Sequence, residues 1–232
     1  MARGELNWTV FVVDDDASIR KALARLLASA GYAVETFASA REFLECGHHQ
    51  DTPGCVVLDV SMPGLSGLDL QRELMAFTPP LPIIFISGHG TIPTSVRAMK
   101  GGAVDFLTKP VNDQDLLSVI KLAMARNVEA RERNAELQEL QRCADSLTPR
   151  EREVMTLVVR GRLNKQVAAE LGTVEKTIKV HRGRVIEKMK VESLAELVRM
   201  AEKLGMFSSE TGSGAATPAS ATAAHPRPST PR

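Results

Sequence analysis

Residues 9–16 read TVFVVDDD: five β-branched or apolar residues, then three aspartates, Asp14, Asp15 and Asp16. A continuous run of this kind suits a strand buried on both faces of a parallel sheet, where the alternation of apolar and polar positions disappears. Working outward, Ser18 opens a helical pattern in which Ile19, Ala22, Leu23, Leu26 and Leu27 share a face, and Gly31 stops it. Ala33 to Phe37 reads as a strand, and Ser39 caps a helix through Cys46. Cys55 to Leu58 is a second buried run, ending at Asp59 and followed by the turn-forming SMPGLSG; Leu68 to Phe77 is helical. Pro82 to Ile86 precedes SGHG, Thr94 to Lys100 forms a short helix, and Val104 to Leu107 precedes Thr108, Lys109 and Pro110. Asp113 begins a longer helix. This alternation predicts an α/β domain over residues 1–125: a doubly wound, five-stranded parallel sheet of flavodoxin-like type.

In such sheets ligands bind at the carboxyl ends of the strands. The residues placed there are Asp14, Asp15, Asp59, Ser87 and Lys109, from four different strands. Three carboxylates in one crevice repel one another, and a hard divalent cation relieves the repulsion. Magnesium suits a few carboxylates plus water and phosphate oxygens. Asp59 is then a nucleophile able to accept a phosphoryl group as an acyl phosphate. Lys109 would neutralise phosphoryl charge, and the Ser87 hydroxyl would donate to it. Asp16 needs no role beyond capping the following helix.

From about residue 126 to 146 the chain is charged and helix-favouring, with Leu137 and Leu140 as apolar points, and reads as a helical or coiled-coil linker. Thr148 before Pro149 is a helix start, and helices are expected near 149–160, 164–171, 175–189 and 193–204. They form a second, all-α domain over 147–207. Gln166 to Leu171, Gly172 and Glu175 to Lys188 have helix-turn-helix spacing. The second of these helices carries Lys176, Lys179, His181, Arg182, Arg184 and Lys188, while Ile178, Val185 and Met189 mark its core face. Such a helix can enter a major groove. Charge divides accordingly. Residues 1–125 hold 10 basic and 14 acidic side chains, net −4, whereas residues 147–207 hold 13 and 8, net +5. The stretch 208–232, rich in Ser, Thr, Ala, Pro and Gly, has little to bury and is expected to be disordered.

Composition excludes several classes. No apolar run approaches the roughly 18 residues of a membrane span, and MARGELNW lacks the apolar core of a secretory signal. Cys46, Cys55 and Cys143 are odd in number and show no C-x-x-C spacing. They fit a reducing cytoplasm, the expected location, better than a disulfide framework or zinc site. His48 and His49 read as a solvated loop rather than a metal site.

The stretches FVVDDD, LDVSMPGLSG, FISGHG and VDFLTKP stand in order between residues 8 and about 125, and there the sequence resembles the receiver domain of two-component response regulators. LTPREREVMTLVVRGRLNKQVAAELG and TIKVHRGRVIEKMKVESLAELV, over about 147–200, resemble the LuxR-type DNA-binding domain. Together, with HGTIPTSVRAMKGGAVDFL, they resemble regulators of the FixJ/StyR/TodT type. The resemblance implies that a sensor histidine kinase phosphorylates Asp59, and that Asp14, Asp15, Asp59 and the Ser61 carbonyl hold magnesium. It implies that Ser87 and Phe106 form a switch pair, that Lys109 contacts the phosphoryl group, and that the Lys109–Pro110 bond is cis. The DNA-contacting set it implies is Lys176, Thr177, Lys179, Val180, His181, Arg182, Arg184 and Lys188. Lys179 and Val180 would read bases; Arg182, Arg184 and Lys188 would lie near phosphates. Homodimerisation on phosphorylation, promoter DNA and RNA polymerase follow as expected partners, and no membrane. Two positions depart from the pattern. Val111 replaces the usual aromatic after Lys-Pro, and Val174 stands where a capping serine is usual, with Thr173 one residue earlier as the substitute cap.

A magnesium-dependent phosphatase with an aspartyl-phosphate intermediate needs an acid/base carboxylate two residues after the nucleophile, where this chain has Ser61. A constitutive DNA-binding protein would have no use for the Asp14, Asp15, Asp59 and Lys109 set. The reading is therefore a phosphorylation-controlled transcription factor and not an enzyme.

Overall fold

The structure is a computed structural model and describes residues 8–47, 52–88 and 90–206. His48, His49 and the 208–232 tail lie outside them. The described residues fall into two compact units divided between Gln138 and Glu139.

The first unit contains strands β1 (Thr9–Val13), β2 (Ala33–Phe37), β3 (Gly54–Asp59), β4 (Ile83–Ser87) and β5 (Asp105–Thr108). They form one parallel sheet in the order β2-β1-β3-β4-β5. Helices α1 (Ala17–Ser29), α2 (Ala40–Cys46), α3 (Gly67–Leu74), α4 (Ile92–Lys100) and α5 (Asp113–Asp145) connect and extend it. Alternate strand residues pack to opposite sides. Val10, Val12, Val57, Ile84 and Ile86 meet Leu23 and Leu27 of α1 and Leu116 and Ile120 of α5. Phe11, Leu58 and Phe85 meet Phe43 of α2, Leu70 and Leu74 of α3 and Ala98 of α4. Each such side chain contributes about 1.5–3 kcal/mol on leaving water. The apolar runs therefore fix the strand interiors, and polar chemistry is left for the strand ends.

Local signals set the helix boundaries. Asp16 accepts from the Ser18 and Ile19 backbone N–H groups at 2.7 and 3.4 Å and starts α1. Ser39 caps α2 through Glu42. Two helices differ from the sequence expectation. The α4 helix starts at Ile92 rather than Thr94, because Pro93 occupies its first turn, where no N–H is needed. The α3 helix ends at Leu74 rather than Phe77, four residues before the Thr78–Pro79–Pro80 segment that cannot continue it.

The α5 helix is 33 residues long. The residues expected as linker are built into the units at both ends of that stretch. Asn127 is buried; its Oδ1 accepts from the Gly54 N–H at 3.3 Å and from Arg131 Nε at 3.1 Å. Arg131 also donates to the Thr52 carbonyl at 2.8 Å. Farther on, Leu140, Cys143 and Ala144 are buried, and Cys143 and Ala144 belong to the core of the second unit. That unit continues with α6 (Pro149–Val159), α7 (Asn164–Glu170), α8 (Glu175–Lys188) and α9 (Leu194–Lys203) around Val154, Val158, Val167, Ile178, Val185 and Leu197.

Candidate functional site

The sheet order changes direction between β1 and β3, and a doubly wound fold opens its crevice at that point. Asp14 and Asp15 follow β1, Asp59 ends β3, Ser87 ends β4, and Lys109 follows β5. The structure brings all five into one crevice. Asp14 is fully buried, Asp59 nearly so, and Asp15 is exposed. One carboxylate oxygen from each lies within 4.8 Å of the other two. That donor set, all hard oxygens with one open side, fits a small divalent cation.

Lys109 balances the buried charge. Its ammonium lies 2.7 Å from Asp14 Oδ2 and 3.3 Å from Asp59 Oδ2. Burial works against the ammonium, but the hydrogen bond and charge of Asp14 and the charge of Asp59 outweigh it and raise the Lys109 pKa. Asp59 is pushed above the usual carboxylate range by burial. Asp14 adds to that rise, while Lys109 and a backbone hydrogen bond from Ser61 oppose it. The Asp14 carboxylate also accepts from the Asp16 N–H at 2.9 Å, and its backbone carbonyl accepts from Arg20 at 2.6 Å.

Ser87 is buried, and its carbonyl accepts the Lys109 N–H at 2.8 Å. The Lys109–Pro110 bond is cis. Phe106, half-buried on β5, lies 6.2 Å from the Phe85 ring, centroid to centroid. A residue that sequence reasoning missed stands between the expected switch partners. A methyl group on Gly90 would come within 2.7 Å of the Phe106 ring and 3.8 Å of Ser87 Cβ. Nothing in SGHG alone marks Gly90, because its neighbour is 16 positions away.

In the second unit, α7, a turn through left-handed Gly172, and α8 form the helix-turn-helix. Ile178, Val185 and Met189 are buried, as their spacing indicates. Lys176, Lys179, Val180 and Arg184 are exposed; Thr177, His181 and Arg182 are half-buried, with Arg182 donating to Asn164 at 3.1 Å. Lys188 is different. Its ammonium binds Glu151 Oε2 at 2.7 Å and the Ser146 carbonyl at 3.0 Å, so the domain's own framework uses the charge expected near phosphate. Glu151 was not singled out in the sequence. It is buried, closes a capping box with Thr148, and is held at a pKa of about 2 chiefly by Lys188. Its signal was the T-x-x-E spacing at the start of α6. The expected substitute cap of α8 does not form. Val174 occupies the N-cap position with no side-chain hydrogen bond, and the Thr173 N–H instead closes the preceding turn on the Ala168 carbonyl.

Comparison with known proteins agrees with this geometry. The response regulator receiver domain family matches residues 10–121, and the LuxR family of bacterial regulatory proteins matches residues 145–201. Nodulation protein W of Bradyrhizobium diazoefficiens is 52% identical over 202 residues, covering 87% of this chain and 88% of the relative. The response regulator protein TodT of Pseudomonas putida is 46% identical, covering 84% and 86%. A solved structure of the response regulator StyR is 49% identical, with a TM-score of 0.74, and covers 85% of this chain and 99% of that one. Among the described residues, no helix is long and apolar enough to cross a membrane. The chain therefore belongs to the two-component response regulators that join a receiver domain to a LuxR-type DNA-binding domain and regulate transcription.

Proposed function

We propose that this regulator is switched by phosphorylation of Asp59 by a sensor histidine kinase, and that the phosphorylated protein binds promoter DNA as a homodimer in the cytoplasm, acting there on RNA polymerase. The observation that carries the reading is the convergence of Asp14, Asp15, Asp59 and Lys109 at the switch point of the sheet. Asp14, Asp15, Asp59 and the Ser61 carbonyl would hold Mg2+. When bound, the cation would offset the carboxylate charge and that of the incoming phosphoryl group. An Asp59 carboxylate oxygen attacks phosphorus, the bond from phosphorus to the kinase's histidine nitrogen breaks, and the histidine recovers its lone pair. Lys109 faces the position of the new phosphoryl oxygens. The Ser87 hydroxyl donates to them, and Phe106 follows its movement. The receiver is taken as residues 1–125 and the DNA-binding domain as 147–207. DNA contacts are assigned to Lys176, Thr177, Lys179, Val180, His181, Arg182 and Arg184, with Lys188 left to its bond with Glu151.

Labelling with a small phosphodonor, with and without magnesium, tests this reading when followed by intact mass and size-exclusion chromatography. One phosphoryl group is expected on the wild type, dependent on magnesium and absent from Asp59→Asn, with a shift toward dimer. Equal labelling of Asp59→Asn, or a labelled protein that stays monomeric and gains no DNA affinity, would refute it.

A further inference from the structure

The exposed stripe of α8 contains a glycine that the fold does not require. Lys176, Lys179, Val180 and Gly183 follow at intervals of three, one and three residues, so they share one face of the helix. Gly183 lies near the middle of the 14-residue helix. A Cβ placed there would meet nothing within 4 Å, and its φ lies outside the left-handed region. Alanine would therefore fit the folded domain and would strengthen the helix, since glycine in a helix interior is destabilising. Only the surface that Gly183 presents gives a use for it.

We propose that Gly183 is a specificity-determining residue, a gap in the stripe that lets α8 seat deep in the DNA major groove. The proposal rests on the reading of α8 as the recognition helix. A helix with its side chains is about 10–12 Å across, and the groove is about 12 Å wide and about 8.5 Å deep, so the fit is limited by the side chains on the inserted face. The missing side chain at Gly183 allows the helix backbone to approach the base edges. It brings Val180, which is half exposed, within reach of an apolar base edge such as a thymine methyl. From that depth Lys179 on the same stripe reaches a base edge, and Arg184 beside it is long enough to reach outward to phosphates. A side chain at position 183 would hold the helix off and leave phosphate contacts while losing base contacts.

The test uses the full-length protein and two DNA probes: duplexes enriched from a random library on the wild type, and an unselected random duplex of equal length. Gly183→Ala is expected to raise the unfolding midpoint of the C-terminal domain by a few degrees and to weaken binding to the enriched duplexes tenfold or more. Binding to the random duplex should change by less than about twofold, and Gly183→Leu should deepen the specific loss. Equal affinity of wild type, Gly183→Ala and Gly183→Leu for the enriched duplexes would overturn the proposal. So would a lowered unfolding midpoint in Gly183→Ala, because the glycine would then serve the fold. Lys179→Ala separates this from failure of the underlying reading: if it too leaves both probes bound as tightly as by wild type, α8 is not the DNA-reading helix at all.

Discussion

Lys109 stands nearer to Asp14 than to Asp59, 2.7 Å against 3.3 Å, and this order has a consequence for the resting receiver. Asp14 is wholly buried, and a buried carboxylate without an opposite charge beside it is strongly destabilising. Lys109→Met, similar in volume but uncharged, removes that partner. The receiver's unfolding midpoint should fall by several degrees in chelator and recover in part when magnesium is added, because the cation then supplies the missing charge. A midpoint equal to wild type in chelator would show that Lys109 has no part in holding Asp14. Asp14 and Asp59 were legible in the sequence because each ends or directly follows a run that buries itself, and Lys109 because it directly follows the last strand, so the chemistry could be placed by counting strands. Gly90 was not, since its part depends on the Phe106 ring, a neighbour that only the folded sheet supplies.

Among the elements, α6 and α8 are joined by one ion pair, and its pH dependence has a definite sign. In the folded domain Glu151 is held at a pKa of about 2, while an unfolded chain restores it to its ordinary 4.5. A depressed folded pKa contributes stability that is fully present above about 4.5 and is lost as pH falls toward about 2. Glu151→Gln keeps an acceptor for the Thr148 N–H but loses the charge facing Lys188. Its domain should unfold several degrees below wild type at neutral pH, and the difference should shrink as pH falls through that window. A pH-independent difference would mean that packing, not the ion pair, is responsible. Caps explain which element boundaries could be read in advance. Asp16, Ser39 and Thr148 each carry the oxygen that starts a helix, and each helix begins where that oxygen indicates. The start of α8 was not legible as a cap, because turn closure through Ala168 decides it and no side-chain oxygen takes part.

For the whole molecule, the two-domain plan was legible because period and charge change together, from buried strands in an acidic half to amphipathic helices in a basic one. The extent of each domain was harder to read. The charged surface of α5 looks the same in sequence whether or not a side chain such as Asn127 turns inward, and only the fold reveals that Asn127 accepts a hydrogen bond from Gly54 at the start of β3 and that Arg131 donates one to Thr52 just before it. That feature bears on chimeric regulators, in which one receiver is spliced to a foreign output domain. The strand that presents Asp59 at one end is anchored at the other by residues a designer would assign to the connector. A splice after Arg126 would remove the Asn127 and Arg131 side chains that bond the Gly54 N–H and the Thr52 carbonyl, whereas a splice after Arg131 keeps both. By calorimetry the later junction should give a receiver melting with the parent and the earlier one a receiver melting below it. Equal melting would mean that the anchor is dispensable and that splice points may be chosen by sequence alone.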